Sequence, residues 1–161
     1  MNGLMRYEHT QPGWVFRIVI GLFYLIWLAS LSGIFFADRE LFSGILIPIV
    51  ISSVVLVLFH SLRVCIDSET LLASFGIGLI RFTFLLEEIE ECAPVRSRFY
   101  NGWGIRKIRH GWLLNVSGYD TVQIKLRSGK IYRIGTDDQD GLMAALETAI
   151  GQVNPTAESV D

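Results

Sequence analysis

The chain has 161 residues, enough for one small domain beside a long apolar segment. Hydrophobic residues make up 51% and charged ones 19%, and a net charge of −2 argues against a nucleic-acid footprint spread over the whole protein. The two cysteines, Cys65 and Cys92, form no CxxC pair and have no histidine at ligand spacing, so they read as two buried, reduced thiols rather than a zinc site.

Residues 1–13 form an N-terminal segment with Arg6 as a basic flank. Two apolar runs follow, Trp14 to Phe36 and Leu41 to about Phe59, separated only by Ala37-Asp38-Arg39-Glu40. Crossing a hydrocarbon core of roughly 30 Å takes about 20 apolar residues. Residues 14–61 therefore predict a transmembrane hairpin of two helices. A cleaved signal peptide has a shorter apolar region and is not followed at once by a second one. Arg6 and Arg17 precede the break, Arg63 follows the second run and only Arg39 lies between, which places both termini on the cytoplasmic side. Arg17 is expected to reach the headgroups beside Trp14. Pro48 predicts a kink in the second helix. Gly21, Ser30, Ser32, Gly33, Gly44, Ser52 and Ser53 allow helices to approach closely, within one hairpin or between copies.

After His60 the pattern changes to short alternating strands. Leu62 to Asp67 and Thr70 to Phe75 flank the turn Asp67-Ser68-Glu69, and Leu79 to Phe84 follows Gly76-Ile77-Gly78. Leu85 to Val95 reads as a fourth strand with an acidic run, Glu87 to Glu91, and Ile105 to Asn115 as a fifth. Thr121 to Leu126 alternates with Val122, Ile124 and Leu126 inward and Thr121, Gln123 and Lys125 outward. Ser128-Gly129 is a hairpin turn leading into Lys130 to Ile134. Thr136-Asp137-Asp138-Gln139 then fits a capping box. Leu142, Met143, Leu146, Ala149 and Ile150 recur at helical spacing up to Gly151, a plausible stop.

Three runs carry a resemblance: Gly102-Trp103-Gly104-Ile105-Arg106, Gly111 to Gly118, and Tyr132 to Asp138. They look like those of small bacterial membrane-anchored proteins with a PH-like (pleckstrin-homology-like) domain. The resemblance covers about Leu62 to Gln152. It implies an α+β head at 62–152, a PH-like antiparallel β-barrel of about seven strands closed by a C-terminal amphipathic helix, with a disordered tail at 153–161. It also implies a bacterial inner (plasma) membrane protein with its head in the cytoplasm. No particular activity follows, because fold does not fix function. The acidic turn at Asp67 to Glu69 departs from the basic first hairpin of phosphoinositide binders and speaks against inositol-lipid recognition there.

The basic aromatic stretch between Cys92 and Tyr119 is the candidate surface, with no acid between Glu91 and Asp120. Its candidate partner- or lipid-binding residues are Arg96, Arg98, Tyr100, Trp103, Arg106, Lys107 and Arg109, since exposed arginines and aromatics suit binding surfaces and basic groups attract anionic headgroups. The competing reading packs Trp103 and Trp112 as structural rings and leaves the arginines solvated against Glu87 to Glu91. Asp137, Asp138 and Asp140 suit the first turn of a helix without any metal. No nucleophile elbow, phosphate loop, zincin motif or dinucleotide fingerprint is present. The expectation is a membrane-tethered, non-catalytic binding or scaffold module without cofactor or metal. It would sit integrally in a lipid bilayer and bind a protein partner or itself, with no nucleic acid. The alternatives are an oligomeric membrane assembly or transport-complex subunit built by the hairpin, or a module that contacts anionic lipid.

Overall fold

The structure is a computed structural model that describes residues 7–34, 39–97, 102–108 and 111–153, with side chains for all of these except 30–34 and 39–46. Its first element is a strand the hydropathy pattern does not announce, β1 (Tyr7–Pro12). Helices α1 (Trp14–Ile34) and α2 (Arg39–Phe59) follow, then strands β2 (Ser61–Ile66), β3 (Thr70–Phe75) and β4 (Ile80–Leu85). A 3-10 turn at Leu86–Glu88 leads into β5 (Ile89–Arg96), β6 (Gly104–Ile108), β7 (Gly111–Asn115), β8 (Asp120–Leu126) and β9 (Ile131–Gly135), and the helix α3 (Gln139–Val153) comes last.

β1 pairs antiparallel with β2 from Tyr7 opposite Ile66 to Pro12 opposite Ser61. Both helices are therefore an insertion at the tip of a β-hairpin. At the exit point the Gly13 N–H donates to the His60 carbonyl at 2.7 Å. A side chain at Gly13 would collide with the Phe59 carbonyl, so glycine permits this approach. The helices pair with each other through Tyr24, whose hydroxyl lies 2.6 Å from Ser53 Oγ and accepts from Ser52 Oγ at 3.3 Å. Phe16 stacks on Phe59 and Phe59 meets the edge of Phe75, which carries the aromatic contact from helix to sheet.

Two sheets form the head. The first is antiparallel in the order β1-β2-β3-β4, and the second runs β5-β8-β9-β7-β6, with β7 parallel to β9. Alternation places Leu62, Val64 and Ile66 of β2 and Leu71, Ala73 and Phe75 of β3 in one core with Val122 and Ile124 of β8. Leu142, Leu146 and Ala149 of α3 are fully buried in the same core. Asp138 caps α3, accepting the Gly141 N–H at 3.1 Å. The capping box read around Thr136 and Gln139 is thus shifted by two residues: Thr136 Oγ1 accepts the Asp138 N–H, and the Gln139 amide donates to the Thr121 carbonyl.

Three expectations are corrected here. Neither sheet closes, so there is no barrel: β1, β4, β5 and β6 are sheet edges among the described residues, and the predicted seven strands are nine. The single strand read over Ile105 to Asn115 is two, β6 and β7, ending and starting either side of Arg109-His110. Among the described residues no helix is long and apolar enough to cross a membrane. The transmembrane hairpin, the description as an integral membrane protein and the inner-membrane location are corrected accordingly. The Ala37-Asp38 part of the loop between the helices and the tail beyond Val153 lie outside the described residues.

The β1 strand is held by polar groups rather than by apolar burial. The Tyr7 hydroxyl donates to Asp138 Oδ2 at 3.0 Å, and His9 Nε2 lies 2.6 Å from Asp137 Oδ1. The Gln11 amide donates to the Ser117 carbonyl, and Ser117 Oγ donates to the Pro12 carbonyl. Burial, followed by the adjacent Asp138 carboxylate, pushes the Tyr7 hydroxyl well above its ordinary range. A phenol held neutral in the fold contributes stability below its unfolded value near 10, and that contribution is lost as pH rises above it. We expect the wild-type chain to lose stability between about pH 10 and 12, and Tyr7→Phe to flatten that part of the profile. Urea midpoints of both proteins measured across that range check this; identical slopes would mean that Tyr7 is not the titrating group.

Candidate functional site

The seven candidate residues divide into groups the sequence does not separate. Arg98, Tyr100 and Arg109 lie outside the described residues. Arg96 ends β5, and its Nε sits 3.9 Å from Asp120 Oδ1 with both side chains largely exposed. Such an open ion pair contributes little to stability. Trp103 donates from its indole N–H to the Gly118 carbonyl at 3.2 Å, and its ring lies 6.3 Å from that of Tyr119. Asn115 supports the same turn, donating to the Gly118 carbonyl and accepting the Ser117 N–H. Arg96 and Trp103 therefore meet at the 117–120 turn, where Trp103 braces the turn while remaining half-exposed.

Arg106 and Lys107 lie elsewhere, on β6, the outer strand of the second sheet. Both are exposed. As adjacent strand residues they point to opposite faces. The Arg106 guanidinium folds back toward Gly102, lying 3.0 Å from where a Cβ on that residue would stand. Lys107 is registered opposite Trp112 of β7, and Trp112 is 41% exposed. This places an ammonium and an open indole side by side, next to a strand whose far side pairs with no other strand among the described residues. Read from sequence as a structural ring, Trp112 is instead an open one. Its position between Gly111 and the fully buried Leu113 is the signal for an outward ring, once β7 is known to start at Gly111.

A second surface lies on the helices. Ile18, Val19, Leu22, Leu25 and Leu28 of α1 and Ile47, Val50, Ile51 and Val54 of α2 are all exposed. Arg17 lies against the Trp14 ring, 5.2 Å from its centroid, and donates to the His60 carbonyl at 3.4 Å. Contiguous apolar surface of this kind marks an interaction face rather than a core.

The thiols are unpaired and half-buried, on β2 and β5. Burial pushes both above their ordinary value, with Glu147 and Glu91 adding to the effect at Cys92. A raised thiol is a poor nucleophile near neutral pH. Among the described residues no three side chains form a metal-ligand cluster. No family model, no curated protein and no solved structure matches this chain.

Proposed function

We propose that this protein is a non-catalytic binding module that takes an extended acidic segment of a partner polypeptide along β6. The observation that supports this is the position of Arg106 and Lys107 on an outer strand, with Lys107 beside the open Trp112 ring. An added strand gains main-chain hydrogen bonds from such an edge, and side chains that meet Lys107, Arg106 and Trp112 supply selectivity. Acidic segments are favoured by charge and aromatic ones by the indole. The test is a panel of fluorescent extended peptides of equal length, acidic, neutral and basic, titrated against the full chain. Arg106→Glu combined with Lys107→Glu should weaken the acidic peptide by about tenfold or more while leaving the melting temperature near wild type. A panel without preference for acid, or an acidic peptide that binds the double variant as well as wild type, would sink the reading.

A second reading is favoured by a separate observation, the exposed apolar face of α1 and α2. There the helices join copies of the chain, and the heads present β6 more than once.

A further inference from the structure

The outward face of the first sheet forms a grid that neither surface above uses. Registered residues fall in rungs across four strands. Thr10, Arg63, Ser74 and Arg81 make one rung, and Glu8, Cys65, Leu72 and Thr83 make the next. The residues between them, such as Val64 and Ala73, face the core, so the whole grid points outward. Between the grid and the Gly76-Ile77-Gly78 turn lies a cleft of about 670 Å³. That volume falls within the range of roughly 300–1,000 Å³ typical of small-molecule sites.

Its chemistry is asymmetric. Arg63 and Arg81 stand on either side of Ser74 and provide the cleft's two cations. Arg81 donates through Nε to the Gly78 carbonyl at 2.5 Å. That bond uses the inner nitrogen and leaves the two terminal groups of the fork as donors. Gly78 has φ +83°, and its open face seats the Arg81 guanidinium. Arg63 holds the Glu8 carboxylate through Nη2 at 2.5 Å, with both side chains about half-exposed. Glu8 thus shows that Arg63 donates to an anionic group here. The acid that lines the cleft, Asp67, is already engaged: it accepts the Glu69 and Thr70 N–H groups and the Thr70 hydroxyl. Burial acts against its charge, and those three bonds outweigh it and hold the carboxyl below its ordinary value. Leu72 on the floor and Ile77 at the rim supply the apolar lining.

We propose that this cleft binds a small organic phosphate, whose anionic group bridges Arg63 and Arg81 above Ser74 in competition with the Glu8 carboxylate. A phosphate, with three acceptor oxygens, suits two guanidinium forks drawn onto one group better than a carboxylate with two. The organic part lies against Leu72 and Ile77, with the Thr83 hydroxyl beside it. Glu8 acts as an internal competitor that sets the affinity.

The test is calorimetric titration of the full chain at matched ionic strength with inorganic phosphate, glycerol 3-phosphate and a short-chain phosphatidic acid kept below micelle formation. Glycerol 3-phosphate should bind more tightly than inorganic phosphate. Phosphatidic acid binding more tightly still would place the same site on a lipid headgroup, and weaker binding would assign it to a water-soluble ester. Arg81→Gln and Arg63→Gln should each weaken binding by about tenfold, with Arg81→Lys intermediate because it keeps the charge and loses the fork. Glu8→Gln should strengthen binding several-fold, a gain that a purely structural role for Glu8 would not produce. Absence of binding to the wild-type chain at millimolar phosphate, an equal response to chloride, or unchanged affinity in the two glutamine variants would overturn the proposal.

Discussion

Gly76→Ala is expected to destabilise the protein by at least about 3 kcal/mol, whereas Gly78→Ala, two residues away, costs only about 1–2. Both glycines have positive φ, +53° and +83°, so both substitutions incur the left-handed backbone penalty. They differ in what the new methyl group meets. At Gly78 it touches only the Arg81 side chain, 3.4 Å away, which has room to swing aside. At Gly76 it runs into the backbone carbonyls of Val57 and Leu58, the last turn of α2. Neither carbonyl can move without shifting the helix, and the Gly76 N–H is itself bound to the Ser61 carbonyl at 2.8 Å. Urea unfolding of the three proteins, followed by circular dichroism, reads the difference between the two sites directly. Equal costs at both positions would mean that the end of α2 yields freely and that the helices are not seated on the β3–β4 turn.

The second large effect concerns assembly state. The full chain of 18.2 kDa should sediment as a species of two or more copies in aqueous buffer. Leu25→Glu with Val54→Glu should convert it to a single copy. Leu25 is 64% exposed and Val54 52%, so neither glutamate disturbs the core. The substitutions place two charges where an apolar contact between copies would exclude water, and uncompensated buried charge is strongly unfavourable. Mild detergent added to the wild type should have the same dissociating effect, because it covers the same surface. A wild-type chain that sediments as one copy at every concentration rules out assembly through the helices and leaves β6 as the proposed interaction surface. Loss of association without loss of acidic-peptide binding would show that the helices and β6 work independently.

Local alternation made much of the first sheet and of α3 legible. Thr70 to Phe75 was readable to the residue, because Leu71, Ala73 and Phe75 share one buried face. Leu142, Leu146 and Ala149 announced the buried side of α3. Thr121 misled, since its place in the pattern pointed outward; it is fully buried, with its hydroxyl donated to the Val95 carbonyl at 2.6 Å. β1 escaped notice for a related reason. Its inward residues, Tyr7, His9 and Gln11, are polar or half-polar, and their partners come from more than 100 residues away. A strand stabilised by distant hydrogen bonds leaves no hydrophobic period to read. The open sheets were equally hidden, because the parallel pairing of β7 with β9 is a matter of long-range topology. Composition did point to Arg106 and Lys107 as surface cations. It could not show that they lie on a different element from Arg96, because that depends on strand order.

The insertion of α1 and α2 between β1 and β2 has a consequence for how the chain is made. Gly13 and His60 are hydrogen-bonded neighbours, so the helical segment leaves the head and returns to it at one point. During synthesis β1 emerges before the helices and must wait for the whole helical segment before its partner strand exists. Local helices form faster than distant strands pair. The helices are therefore expected to form ahead of the sheet, with the last turn of α2 available when Gly76 arrives to pack against it. The same connectivity makes the segment removable in principle, because a two-residue turn from Pro12 to Ser61 would close β1 onto β2 as an ordinary hairpin. A chain begun at Leu62 would instead lack β1 and expose the edge of β2, a ready template for unwanted pairing.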